Sequence, residues 1–190
     1  MKTTALSTFA LAGLLLGAMA AAGQSTPPPP PISQLSSLEE SFVANLMQQF
    51  VVEAKAASAA RNRGSKSEIR DLGVALGNDY PKMAEDLSIF AAKKSIVLSA
   101  DLEASHQRVV DALSSVSVDE FDSAYLALAV DDQTRFLVQI QPILNASNDP
   151  ELRLLLSKIA TRISDNLART KAVQNKFAGV SINADASVPK

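Results

Sequence analysis

Five polar side chains fall on or beside apolar stripes of helical spacing, and a sixth adjoins one of them. Glu53 lies on the stripe formed by Phe42, Leu46, Phe50, Ala57 and Ala60. Asp79 and Tyr80 straddle the seam of Ile69, Leu72, Leu76, Met83, Leu87 and Phe90. Asp132 interrupts the face of Phe121, Tyr125, Leu128, Phe136 and Gln139/Ile140, with Gln133 beside it. Asn166 sits on the stripe of Leu152, Leu156, Ile159, Ile163 and Thr170. A carboxylate on a core face needs a partner. Two chemistries answer that need: hydrogen-bond donors that make a polar layer, or a cation shared by inward carboxylates of facing helices. His106 is the single histidine. Alone it can supply neither a histidine-rich metal site nor a Ser-His-Asp triad, and it reads as a half-buried histidine with one bond satisfied. There is no Gly-rich phosphate loop and no visible nucleophile, so no catalytic residue is assigned.

The elements that position these residues are helices. Ser36 with Glu39, Ser65 with Glu68 and Ser117 with Glu120 have capping-box spacing and predict three helix starts. Asp149, Pro150 and Glu151 supply a fourth: cap, proline at the first position, then acid. Gly64 and Gly179 are expected stops. Pro81 falls inside the second helix, where a kink is expected, because the apolar period continues in phase across it. Pro142 is expected to bend the third long helix or to begin its exit. Gly73 and Gly77, one turn apart, are expected to admit a neighbouring helix closely. Residues 101–113 predict a short helix between the second and third long ones. The pattern is all-α: four long helices in an up-down bundle with a short extra helix between the second and third.

The 190 residues fit one domain with tails, and 47% hydrophobic content supplies a core. With 18 basic against 20 acidic residues there is no electrostatic case for nucleic acid. The absence of cysteine excludes disulfides, thiol catalysis and thiolate metal sites. Residues 1–22 read as a secretory signal peptide: Lys2, a short apolar run over 5–16, then Ala18-Met19-Ala20. Residues 23–35, with five consecutive prolines from Pro27, read as a stiff linker. The bundle is expected over 36–179 and a disordered tail over 180–190.

Motifs in order and spacing extend the reading. Phe42-Val43, Glu53, Asn78-Asp79-Tyr80 after Leu76, Phe121-Asp122-Ser123-Ala124-Tyr125-Leu126, Asp132-Gln133 and Asp149-Pro150-Glu151-Leu152 resemble an exported bacterial family. That family is domain of unknown function 4142, ferritin-like and often labelled "predicted outer membrane protein". The resemblance covers about residues 38–177 and is most specific at Phe-Asp-x-x-Tyr. It implies a ferritin-like bundle in the periplasm or at the outer envelope, without an established activity. It also implies histidines where this chain has Tyr80, Gln133 and Asn166.

The expectation is therefore a non-catalytic exported bundle with an interaction or envelope-stress role. Glu53, Asp79, Tyr80, Asp132, Gln133 and Asn166 would form a hydrogen-bonded layer in place of a metal centre, with Arg135 or Arg162 compensating charge. No cofactor is expected; the alternative is a carboxylate-held divalent metal. The partner would be an unknown periplasmic or envelope component. Membrane-surface contact through Lys93-Lys94 is a further reading, with no transmembrane helix once the signal is cleaved.

Overall fold

The computed structural model describes residues 35–185 apart from position 100, with side chains through position 177. The expected signal peptide, the linker up to position 34 and the last five residues of the expected tail lie outside the described residues. Five helices follow in order: α1 (Ser37–Arg63), α2 (Ser67–Lys93), α3 (Ala104–Ser115), α4 (Val118–Ala146) and α5 (Pro150–Asp185). No strand occurs among the described residues.

The helix starts follow local chemistry at two of the four expected places. At Ser36 the capping box forms: Glu39 N–H donates to Ser36 Oγ at 3.3 Å, and Ser36 N–H donates to the Glu39 carboxylate at 2.7 Å. Before α5, Leu152 N–H donates to Asp149 Oδ1 at 2.8 Å, with Pro150 opening the helix. The Ser117 box is not made, because Ser117 Oγ donates to the Glu120 side chain at 2.8 Å and caps no backbone group. The Ser65 box is not made either. Lys66 is the residue before α2, and Ser65 serves a distant carboxylate instead. Asp122 of α4 accepts from Ser65 N–H at 3.0 Å, Ser65 Oγ at 2.5 Å and Lys66 N–H at 3.3 Å. A long-range charge-assisted cap has displaced the local one. α2 runs unbroken through Pro81, and α4 continues past Pro142 to Ala146. α5 passes the expected stop at Gly179 and reaches Asp185.

α1 packs chiefly on α2 and α4 chiefly on α5, while α1 also meets α4 and α2 meets α5. The four long helices thus close around one core. Phe50, Leu76, Tyr80, Met83, Phe121, Tyr125, Phe136, Ile140, Leu156 and Ile163 are buried in it. On α1 the inner face takes Val43 rather than Phe42, and on α4 Ala129 rather than Leu128. α3 packs on α1 and α4 and buries a single side chain, Leu113.

The helix ends are tied across the molecule. Arg63, the last residue of α1, donates to the carbonyls of Leu113 at 3.1 Å, Ser114 at 3.0 Å and Val116 at 2.5 Å, just before α4. Its guanidinium lies 4.4 Å from the ring centre of Phe121, and that ring stacks on Tyr125. The Phe-Asp-x-x-Tyr stretch is therefore the corner of the fold: Phe121 seats the end of α1, Asp122 caps the start of α2, and Tyr125 reaches the core. At the other end, Lys94 after α2 pairs with Asp149 at 2.5 Å and Glu151 at 3.4 Å. Lys93 meets Glu151 at 3.3 Å. The Lys93-Lys94 cluster thus pairs with the start of α5.

Gly73 is where α1 and α2 come closest. A Cβ there would lie 2.5 Å from Arg61 N and 2.7 Å from Ala57 O, whereas at Gly77 the nearest atom would be 3.8 Å away. Of the two glycines, only Gly73 serves close approach. Gly73→Ala is expected to lose about 1–3 kcal/mol in urea unfolding through overpacking. Gly77→Ala should be neutral or gain up to about 1 kcal/mol from helix propensity. Asp122→Ala, which strips the cap from the α1–α2 turn, is expected to cost about 2 kcal/mol in the same measurement.

Candidate functional site: a buried polar layer around Glu53

Halfway along α1, Glu53 is 1% exposed. Burial, a hydrogen bond with Asp132 and the Asp132 charge hold its carboxyl well above the ordinary value of 4.5, while the Tyr80 hydroxyl and Arg135 oppose the shift. The neutral form of the carboxyl is therefore favoured, and in that form it donates to Asp132. Asp132, three elements on in α4, is also buried, and its second partner is the Arg135 guanidinium one turn further on. That guanidinium is half-exposed and reaches Asp131 at 3.3 Å as well. One buried proton and one surface cation thus serve two carboxyl groups.

Around this pair, Tyr80 of α2 accepts from Gln133 Nε2 at 3.3 Å. Burial, then the nearby Glu53, pushes the Tyr80 hydroxyl well above its usual range. Tyr125 is raised by the same two causes. Several buried atoms in this region lack a hydrogen-bond partner: Glu53 Oε1, Gln133 Oε1, Gln49 Oε1 and the Tyr125 hydroxyl. Three of these four are pure acceptors, so the layer is rich in acceptors and short of donors.

Of the six residues singled out by sequence, Glu53, Tyr80, Asp132 and Gln133 meet here. Asp79 does not. It turns toward α5, where its carboxylate pairs with Arg169 at 3.5 Å and is 28% exposed. Adjacent helical residues point about 100° apart, and the seam takes Tyr80 rather than Asp79. Asn166 is buried, yet it joins Asp79 rather than Glu53: its Oδ1 accepts from Arg169 Nη1 at 3.3 Å, and its Nδ2 has no partner. Arg135 provides the anticipated compensation. Arg162 is exposed, and Arg169 fills the role on α5.

Sequence reasoning missed Tyr125 as a polar participant, because a tyrosine on an apolar stripe reads as core. It also missed Gln48 and Gln49. Gln48 is buried, donates to the carbonyls of Ser99 and Asp101 at 3.3 and 3.0 Å, and accepts from Glu103 N–H at 2.9 Å. It thereby fixes the approach to α3. The signal was present as two glutamines between Met47 and Phe50 on a buried face.

Beside the layer, α1, α3 and α4 border a half-open cavity of about 250 Å³. His106 of α3 lines it with Gln49, Asp132 and Arg135. The histidine is half-buried as expected, with Nδ1 3.4 Å from Ser105 Oγ. Among the described residues no group of three or more His, Asp or Glu side chains is arranged to hold a metal ion. None of the helices formed by the described residues is long and apolar enough to cross a membrane.

A helical protein with a layer of neutralised carboxyls at its centre is the class these features define. The chain belongs to the family described as Domain of unknown function (DUF4142), whose model matches residues 24–173. In fold it is similar to the crystal structure of a DUF305 fragment from Deinococcus radiodurans. The TM-score is 0.65 at 17% identity, over 77% of this chain and 99% of that one. No curated protein matches it.

The raised carboxyl gives a pH test. With a folded-state value above the unfolded one, the stability tied to Glu53 is whole below about pH 4.5 and is lost as pH rises toward the folded value. Glu53→Gln keeps the shape and removes the titration. Its stability relative to the parent should be flat below pH 4.5 and climb above it by up to about 1.4 kcal/mol per pH unit. Urea unfolding at pH 4, 5.5 and 7 measures this; a difference independent of pH would contradict a buried neutral carboxyl.

Proposed function

We propose that this protein is an exported, ferritin-like helical bundle that works by binding rather than by catalysis, its central layer a degenerate metal site. The ferritin-like reading is supported by the helix ends. Arg63 and Asp122 put the start of α4 beside the end of α1 and the start of α2. Lys94 puts the start of α5 beside the end of α2. α2 and α4 then run the same way, and the segment carrying α3 returns along the bundle. A single long crossover between the second and third long helices is the ferritin-type connection, distinct from strict up-down alternation.

One observation carries the non-metal reading. The negative charge that a cation would neutralise is already answered, by the proton on Glu53 and by Arg135 on Asp132. Asp79, the third carboxylate of the anticipated set, is committed to Arg169. Gln133 donates to Tyr80 inside the layer, where a metal centre needs ligands, and Asn166 lies outside it on Arg169. The export reading rests on residues 1–22 and the proline linker, and it places the bundle in the periplasm or outer envelope, beside a partner not yet identified.

A carboxylate-held divalent cation is the second reading, favoured by the adjacency of Glu53 and Asp132 and by the unpartnered Glu53 Oε1. Metal content decides between them. The protein, purified without chelator or histidine tag and dialysed, is expected to carry far less than one equivalent of iron, manganese, zinc or calcium. Its melting temperature should move by less than about 1 °C with EDTA. Retention near one equivalent, emptied by Glu53→Ala, would establish the second reading instead.

A further inference from the structure

We propose that the cavity between α1, α3 and α4 binds a small zwitterion of the α-amino acid type, its ammonium on Asp132 and its carboxylate on Arg135 and His106.

The walls supply both halves. Asp132 is a carboxylate whose side chain is 5% exposed, while its partner Arg135 is 48% exposed. The anion therefore lies deep and the cation lies toward solvent. Gln49, on the same wall, is engaged through Nε2, which donates to Gln139 at 3.3 Å. An ammonium seated beside Asp132 takes over the deep carboxylate. The guanidinium it displaces is long, half-exposed and suited to a bidentate bond with a second carboxylate. His106, half-buried on the α3 wall, adds a ring nitrogen on the same cavity.

Simpler ligands fit less well. A plain cation would take Asp132 and leave Arg135 only the exposed Asp131. A plain anion would compete with Asp132 for Arg135 and leave the buried carboxylate without its cation. A zwitterion replaces one internal ion pair by two, which keeps every charge partnered. Val109 and Phe136 give an apolar wall for a side chain. The volume of about 250 Å³ equals roughly eight waters at about 30 Å³ each, enough for a small amino acid.

The test is calorimetric titration of the purified chain with glycine, L-serine, L-valine and L-glutamate, followed by amide chemical-shift mapping. At least one should bind saturably at a single site, with shifts centred on residues 49, 106, 109 and 132. For L-valine, isobutylamine and isovalerate, which each keep one charge, should bind at least tenfold more weakly. Asp132→Asn should weaken binding at least tenfold. Val109→Trp, which fills the cavity from its rim, should abolish binding while leaving the helical circular dichroism unchanged. No saturable response to any of the four amino acids up to about 50 mM would overturn the proposal. So would isobutylamine binding as tightly as valine, or undiminished binding by a folded Val109→Trp variant.

Discussion

A carboxyl group buried at the centre of a helical bundle constrains everything packed against it. Glu53 cannot ionise in that setting without a cation or several donors, and the neighbouring helices bring mostly acceptors. The chain resolves this by keeping a proton on Glu53, sharing it with Asp132, and drawing Arg135 in from the surface to meet the remaining charge. Tyr80, Tyr125 and Gln133 then pack around a group that behaves as a polar but neutral side chain. Their own hydroxyls are pushed upward by burial and by the same carboxyl. The layer is under-donated, as its unpartnered oxygens record. Such a layer contributes little to stability relative to an apolar core, and it leaves open acceptors next to a cavity.

A second device holds the helices so that this layer can exist. Asp122 of α4 caps the start of α2, Phe121 lies under Arg63 from the end of α1, and Tyr125 continues inward. Three of the long helices, α1, α2 and α4, are joined by side chains within a five-residue stretch. The opposite end is closed by Lys94 on Asp149, where burial raises the carboxyl and the lysine, together with the backbone N–H groups of Leu152 and Glu151, more than offsets it. With both ends tied and Gly73 letting α1 lie against α2, Glu53 and Tyr80 of one helix pair face Asp132 and Gln133 of the other pair. The family shares a name without an assigned activity, and the likeness to the DUF305 fragment extends to fold alone. The chemistry of the layer and its cavity is thus the firmest guide to what the protein does.

The helices, their order and most of their inner faces were legible in the residues, because each rests on local physics. A 3.6-residue apolar period, a serine with a glutamate three positions on, and Asp-Pro-Glu before a leucine act within one or two turns. So did the presence of polar groups in the core: Glu53, Asp132 and Asn166 interrupt stripes that are otherwise apolar. What tertiary structure alone decided is who partners whom. Asp79 and Tyr80 are neighbours in sequence, and a rotation of 100° sends one to Arg169 at the surface and the other to the core. Ser65 had a local partner in Glu68 and took a distant one in Asp122, since a carboxylate held by α4 meets three donors at once. The protonation of Glu53 likewise depends on a desolvated neighbour 79 positions away, and no spacing rule within a single helix encodes that distance.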